Sequence, residues 1–420
     1  MLSRPHAEER TKCASRSTRP PRSFERRPPA APQGEADQGR RMLLVEADAK
    51  ALLRGSGIAV PEGVTAAGAM PTLPGTGPWV VKAQVPVGGR GKAGGVVLCK
   101  TKAEIDAALK RLIGAQIKGH QVRSCLIEAA VTGADEYYLS LIVDPAQYGV
   151  RVTLLREGGV DVEQASAAAA HNRLCAPEHD SIAAAIRELA ANEPSERNAA
   201  LIGTGERLAR LFIERELMLA EINPLFVGPL GCVAGDAKIV VDLNAVHRHP
   251  DLADLIQGGA AIYPDAIRKL NDGFDYVEVD PQGEISLVTT GAGLSMMLID
   301  EMTTRGGKPL NFLDIRTGLL RNDPTRLVKT LGWIAERPSV RVVLVNIFAG
   351  VTDLAEFANL LCIALERTPS LKVPVVARIV GYRFAEAKVV LAAKRPDIAV
   401  EESLDAALNR VDAILQGRVS

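Results

Sequence analysis

The sequence predicts an α/β protein whose last third is an open, doubly wound parallel sheet. Two observations lead there. After Gly283, strand, glycine turn and helix alternate: 285–289 leads to a helix from Leu294, 342–347 to a helix from Leu354, and 373–378 to a helix from Ala385. The strands are continuous apolar runs, the pattern of a parallel sheet covered on both faces. A third observation sets 42–283 apart from 284–420. Upstream of Gly283 the strands are joined by glycine-rich hairpin-like connections, with a long Ala-, Leu- and Arg-rich helical stretch between them.

Taken in order, residues 1–41 hold ten Lys/Arg, five Asp/Glu and almost no apolar side chains, so they cannot bury enough surface to fold alone. Without an apolar centre they are no secretory signal. Met42 opens the first patterned segment and is a plausible initiator, 1–41 being an extension. A helix follows over 47–55 and a strand near 58–60. Strand 79–85 runs into a glycine-rich loop, and 96–99 resumes the sheet. An amphipathic helix over 101–113 has Thr101 as its cap. Segments 124–128, 136–143 and 151–155 read as strands. The stretch 164–220 reads as mainly helical, irregular near Cys175. The stretch 221–242 reads as two short strands around a tight turn, and 247–283 as a linker with a short helix.

The net charge is zero over 420 residues, and no basic stripe marks a nucleic-acid face. Apolar runs are strand-sized, so no membrane span is expected. The six cysteines show no metal-ligand spacing and suit a reducing, cytoplasmic setting. None of the six histidines stands in a glycine-framed loop.

Three stretches carry chemistry. Glu221-Ile222-Asn223-Pro224-Leu225 and Ala234-Gly235-Asp236-Ala237-Lys238 would place Asn223 and Asp236 side by side on adjacent strands, with Glu221 on the same face by strand alternation. Such an oxygen-rich patch suits a hard cation such as Mg²⁺; the plainer alternative is a solvated sheet face. The run from Lys82 to Gly95 has five glycines in the eight residues 88–95, so its N–H groups can cradle phosphates, and Gly89-Arg90-Gly91 and Lys92 add charge. Lys82 lies in an apolar strand and needs an anionic partner; the alternative is a mobile hairpin tip. Glu128 and Glu136, at the end of one strand and the start of the next, can accept hydrogen bonds from a nucleoside or serve as ordinary edge carboxylates. In the last third, Thr289-Thr290-Gly291-Ala292-Gly293 and Asn346-Ile347-Phe348-Ala349-Gly350-Val351-Thr352 each form a strand–glycine–helix turn, and helix starts favour anions.

In their order, these phrases resemble the beta subunit of succinate–CoA ligase and its malate–CoA ligase relatives. The likeness runs from residue 42 to about 415. It includes Glu157-Gly158-Gly159-Val160-Asp161-Val162-Glu163, Asn311-Phe312-Leu313-Asp314 and Val345-Asn346-Ile347-Phe348. The resemblance implies an ATP-grasp domain followed by a flavodoxin-like domain. It implies that Lys82, Gly89, Arg90 and Gly91 hold the phosphates of ATP or GTP. It further implies that Glu128 and Glu136 contact adenine and ribose, that Asn223 and Asp236 ligate Mg²⁺, and that Glu221 orients a phosphorylated histidine. That histidine belongs to a CoA-binding alpha subunit, an obligate partner; CoA and a small carboxylic acid are the other substrates. Thr290, Gly350, Val351 and Thr352 correspond to the acid site.

The sequence departs from the family in that acid-binding half. Thr290 replaces an Asn, Arg316-Thr317-Gly318 a triple glycine, and Ala349-Gly350-Val351-Thr352-Asp353 a Gly-Gly-Ile-Val-Arg-like turn. Gly381-Tyr382-Arg383 replaces a Gly-Thr/Asn-Asn turn. An acid other than succinate follows, malate or another hydroxylated or substituted acid suiting the added hydroxyls. Arg316 and Arg383 would either bind an extra anionic group or be solvated. Two other readings remain: a decayed paralogue that binds nucleotide or partner without turnover, and an ATP-grasp ligase joining an acid to an amine.

Overall fold

A computed structural model describes residues 41–156, 171–228, 231–273 and 275–418, all within one compact unit, Ala36–Ser420. The expectations for residues 1–40, the motif 157–163, the helical reading of 164–170 and the turn residues Pro229 and Leu230 lie outside the described residues. Arg41, placed in the extension by sequence, is already paired in a strand opposite Asp242.

The chain enters on β1 (Arg41–Leu43) and α1 (Glu46–Gly55). Then β2 (Gly63–Ala66), β3 (Trp79–Ala83), β4 (Val96–Cys99), α2 (Lys102–Leu112) and β5 (Cys125–Ala129) follow. The four strands β2–β5 form an antiparallel sheet in the order β2-β5-β3-β4. Ile105 and Leu109 of α2 bury against Trp79 and Val81. Thr101 caps α2 by accepting the Glu104 N–H, and the Glu104 carboxylate accepts the Lys100 N–H, a reciprocal lock on the helix start.

Next come β6 (Asp135–Asp144), β7 (Gly149–Arg156), β8 (Asn172–Cys175), α3 (His179–Ala190), α4 (Ser195–Glu214), β9 (Leu217–Gly228), β10 (Gly231–Ala234) and β11 (Lys238–Asp242). These strands and β1 make a seven-stranded antiparallel sheet, β1-β11-β9-β6-β7-β8, with β10 also on β9. Helices α3 and α4 cover it, burying Ile182, Ile186, Leu208 and Phe212 against Tyr137, Leu139 and Leu141.

Three upstream readings change. The segment 58–60 is no strand: Ala59 makes a single bridge to Val233, because Pro61 cannot donate to a ladder, and pairing begins at Gly63. Asn172–Cys175, read as helical up to an irregular end at Cys175, and Leu217–Ala220, read as helical, are strand; both gain ladder partners far away in sequence that local propensity does not reveal. The linker 247–283 holds two helices, α5 (Pro250–Gly258) and α6 (Pro264–Asp272), and the strand β12 (Asp275–Glu278). Each helix has Pro in its first turn, where the missing N–H costs nothing, and α6 ends at Gly273 with φ 69°.

The last part contains β13 (Ile285–Thr289), α7 (Ala292–Thr304), β14 (Asn311–Asp314), α8 (Thr325–Ala335), β15 (Val342–Ala349), α9 (Leu354–Glu366), β16 (Val375–Gly381), α10 (Phe384–Lys394), β17 (Ala399–Glu401) and α11 (Leu404–Leu415). Strands β13-β15-β16-β17 are all parallel. On the far edge β14 lies along β13, Leu310 N–H reaching Ile285 O and Ile315 N–H reaching Thr289 O, and β12 pairs antiparallel outside it. The order β14-β13-β15-β16-β17 is that of a flavodoxin-like sheet, with its switch point between β13 and β15. Val342 to Ile347 are buried throughout, as a sheet covered on both faces requires.

Candidate functional site

The site begins with an interruption in β9. Its pairing with β6 shifts register between Ile222 and Leu225, where Asn223-Pro224 sits. On its other edge β9 pairs with β11 up to Glu221 and with β10 from Leu225 onward. The link 235–237 therefore crosses opposite the irregular stretch, held by Gly235 N–H to Pro224 O at 2.8 Å. A Cβ on Gly235 would lie 2.3 Å from the Phe226 ring, so only glycine passes here. Asn223 and Asp236 thus face one cavity from a strand and a link. They are not on two paired strands as the sequence suggested, because Pro224 removes a ladder donor and splits the edge between β10 and β11.

Beneath the link lies a buried ionic network. The Gly235 carbonyl accepts from Lys50 Nζ at 2.8 Å and Lys82 Nζ at 2.7 Å. Glu46 takes Lys50 at 2.8 Å, Lys82 at 2.7 Å and Arg90 at 2.8 Å. Glu128 takes Lys50 at 2.6 Å and Lys82 at 2.9 Å. Arg90 also reaches Asp236 at 3.1 Å and the Ala83 carbonyl at 3.1 Å. Three cations meet three carboxylates, and Glu46, Lys50, Lys82, Arg90 and Glu128 are each nine-tenths or more buried. Burial opposes every charge here, and the partners decide the outcome. Glu46 is held far below the ordinary carboxylate range by Lys82, Lys50 and Arg90. Burial lowers Lys50. Burial lowers Lys82 and Arg90 too, but the carboxylates together outweigh it and raise both: Glu46, Glu128 and Asp236 for Lys82, Glu46 and Asp236 for Arg90. Asp236 is pushed up to about 6, by burial first and then by the nearby Glu46.

Above the network opens a cavity of about 1070 Å³. Arg90, Lys92, Lys118, Arg151 and Lys238 line it with Glu46, Glu221 and Asp236, five cations against three carboxylates, a surplus suited to a polyphosphate. Gly88, Gly89 and Gly91 form its lip, and Lys118 Nζ holds the Gly88 carbonyl at 2.7 Å. Arg90 and Lys118 anchor the loop; it is no free hairpin tip. Glu221 shares the cavity with Asn223, two residues on, and accepts from Tyr138 Oη at 3.3 Å.

Of the residues named by sequence, Lys82, Arg90, Glu128 and Asp236 meet in the network, and Gly89, Arg90, Gly91, Glu221, Asn223 and Asp236 meet at the cavity. Glu136 is exposed on β6 opposite Phe226 and does not line it. Thr290, Gly350, Val351 and Thr352 lie elsewhere, beyond the C-terminal ends of β13 and β15 at the switch point. There the two helix starts differ. The Gly291 N–H donates to Asp314 Oδ1 at 2.9 Å, whereas the first amides of α9 are already taken by Asp353. Arg316 pairs with Asp275 and Arg383 with Asp353; neither is a solvated, unpaired cation.

Sequence reasoning missed Glu46, Lys50, Lys118 and Tyr138. The first two left a signal: they stand four apart on the buried face of α1, beside Ala49 and Leu53, where charges need partners. Lys118 and Tyr138 left none.

Among the described residues no group of three or more His, Cys, Asp and Glu is placed to hold a metal ion. The donors present still fit Mg²⁺. Asp236 and Asn223 are hard oxygen ligands on one cavity, Mg²⁺ commonly takes one or two protein ligands with phosphates and water, and a cation would relieve the raised Asp236 carboxylate.

A family model described as an ATP-grasp domain matches residues 43–227, and one described as CoA-ligase matches 288–409. The GDP-forming succinate–CoA ligase beta subunit of Thermus thermophilus is 40% identical over 339 residues, 78% of this chain and 86% of that one. The ADP-forming counterpart from Chloroflexus aurantiacus is 39% identical, over 75% and 83%. That from Thioalkalivibrio sulfidiphilus is 35% identical, over 89% and 100%. Among solved structures, ATP citrate lyase from Methanothrix soehngenii, in complex with citrate and coenzyme A, superposes with a TM-score of 0.63 over 90% of this chain and 100% of that one. At 17% identity that likeness is one of fold.

Proposed function

The chain belongs to the family of succinate–CoA ligase beta subunits, and from that premise we propose that it is the nucleotide-binding subunit of an ADP-forming acyl-CoA ligase. In this reading the phosphoryl group of ATP passes to a histidine of a CoA-binding alpha subunit and then to a carboxylic acid, and CoA thiol displaces phosphate to give the thioester. The cation-lined cavity above the Glu46 network carries the proposal, because it joins a phosphate cradle to an oxygen-ligand pair.

Each residue then has a role. The N–H groups of Gly89 and Gly91 and the charges of Arg90, Lys92 and Lys118 hold phosphate oxygens. Arg90 is kept rigid by Glu46, so its charge is preorganised and costs little reorganisation when a phosphoryl group moves. Lys82 neutralises Glu46 and Glu128 from below. Asn223 and Asp236 would hold Mg²⁺, which offsets charge on the transferring phosphoryl group. Glu221 faces the cavity as an acceptor, placed to orient an incoming imidazole. Glu128 and Glu136 flank the connection between the two antiparallel sheets, where the nucleoside would lie; for Glu128 this requires sharing its carboxylate with Lys50 and Lys82. Thr290 and Gly350, Val351 and Thr352 frame the acid.

The test uses the chain purified with its partner from its own host. ADP release from Mg²⁺-ATP that needs both CoA and an acid, and is lost in Asp236→Ala, supports the reading. Bound nucleotide without acid-dependent ADP release indicates a chain that binds without turnover.

A further inference from the structure

Several of the cations that line the cavity are committed to the protein itself. Arg90 is held by Glu46, Asp236 and the Ala83 carbonyl. Lys118 donates to the Gly88 carbonyl at 2.7 Å. Arg151 reaches Asp144 at 2.7 Å and Asn172 at 3.1 Å. Lys238 differs. Among the described residues its ammonium makes no hydrogen bond, and its one ion pair is with Glu221 Oε2 at 3.8 Å, too long for a hydrogen bond. The Lys238 side chain is 44% exposed, so this pair is weak and easily parted.

Lys238 is fixed at its stem and open at its tip. It begins β11 and stands directly across the ladder from Glu221 on β9. The ammonium reaches over the cavity to the glycine lip, where a Cβ on Gly88 would lie 3.9 Å from Nζ. One loosely held cation therefore lies between the lip that would cradle phosphate and the carboxylate placed to orient an imidazole. Glu221 Oε2 also takes Tyr138 Oη at 3.3 Å, so the carboxylate keeps a hydroxyl partner when the ammonium leaves.

Resting on the acyl-CoA ligase reading above, we propose that Lys238 is a further catalytic residue for the phosphoryl transfer. Before the partner's imidazole enters, the ammonium lies against Glu221. The arriving ring donates one N–H to Glu221, and Lys238 moves onto the equatorial oxygens of the terminal phosphoryl group. The lone pair of the other ring nitrogen forms the N–P bond. The P–O bond to ADP breaks, and its electron pair stays on the ADP oxygen. Charge spreads over the three equatorial oxygens during this step. A cation that meets those oxygens only once the acceptor has arrived favours the transition state over bound ATP. It speeds transfer without tightening nucleotide binding. Lysine suits the task, since its compact charge rides on a flexible four-carbon stem that can pass between two anions. Arg90, fixed by two carboxylates, cannot make that movement.

The test is single-turnover transfer in the complex purified from its own host. Mg²⁺ and ATP labelled at the terminal phosphate are added, the reaction is stopped in alkaline detergent, and label on the partner is followed in time. Binding of Mg²⁺ with β,γ-methylene-ATP, which cannot transfer, is measured beside it by calorimetry. Lys238→Met is expected to slow transfer at least tenfold while changing the analogue's dissociation constant less than threefold. Lys238→Arg keeps the charge and is expected to transfer at least threefold faster than Lys238→Met. A Lys238→Met complex slowed less than tenfold, beside a wild type that labels its partner, overturns the inference and leaves the ligase reading intact. A slowing matched by an equal loss of analogue affinity also overturns it, since Lys238 would then only bind nucleotide. So does a Lys238→Arg complex as slow as Lys238→Met, since charge would not be the cause. No label on the partner of the wild type removes the ligase reading itself and the inference with it.

Discussion

Replacing Glu46 by Gln should destabilise the chain more than any single change at the cavity rim. Glu46 is 1% exposed and holds Lys50, Lys82 and Arg90 within 2.8 Å. Its loss turns a balanced network of three cations and three carboxylates into one with an unmatched buried positive charge. Removing one partner of a buried pair typically costs about 3–5 kcal/mol. For a unit the size of Ala36–Ser420 that lowers the thermal midpoint by about 4–6 °C. The pH dependence has a definite sign. The folded state holds this carboxyl far below its ordinary range, so its stabilisation is full above the unfolded value, about 4.3, and is lost as pH falls through the depressed folded value. The variant should lose that part of acid unfolding. Adding Lys50→Met restores the balance at two against two, and the double variant should be more stable than the summed losses by about 1–3 kcal/mol. Thermal unfolding of the four proteins at pH 7, followed by circular dichroism, measures this. A Glu46→Gln shift below about 2 °C would refute the reasoning, since it would mean that water already screens the network.

At the cavity, Asp236→Asn should abolish phosphate transfer from ATP while changing the thermal midpoint little, because its side chain is 38% exposed; labelled-phosphate transfer beside a melting curve checks both. Asp236 carries its proton up to about pH 6, so it must ionise before it can bind a cation, and Mg²⁺-ATP affinity by calorimetry should weaken as pH falls below that value. In stability the same raised pKa has the opposite sense: it favours the folded state at low pH, and that contribution is lost as pH rises through about 6. Thr101→Ala removes the cap on α2 and should cost about 1 kcal/mol in urea unfolding. Phe357→Ala, emptying a fully buried place beneath α9, should cost about 3–5 kcal/mol in the same assay.

Much of the fold was legible because its signals are local. The apolar run 342–347 could only be a strand buried on both faces, and Thr101 with Glu104 announced α2. Strands such as Asn172–Cys175 were not legible, since only pairing with Val150 to Thr153 makes them strand. At the site, residue types and spacing pointed to Asn223 and Asp236, but the split edge that brings them together depends on Pro224 and Gly235 acting across two strands. Lys82 announced its need for an anion; that Glu46 would supply it, from a helix 36 residues earlier, was set by packing. At the switch point the sequence showed two helix starts open to anions. In the fold one of them is filled by Asp353, because a capping side chain and a ligand compete for the same N–H groups.

The most direct test follows the phosphate. The complex purified from its own host is given Mg²⁺ and ATP labelled at the terminal phosphate. An acid-labile label should appear on the smaller partner polypeptide, fail to appear with Asp236→Asn, and be discharged by CoA together with an acid. A partner that co-purifies and stays unlabelled while nucleotide remains bound would contradict the account: the cavity would then bind ATP without passing its phosphate on.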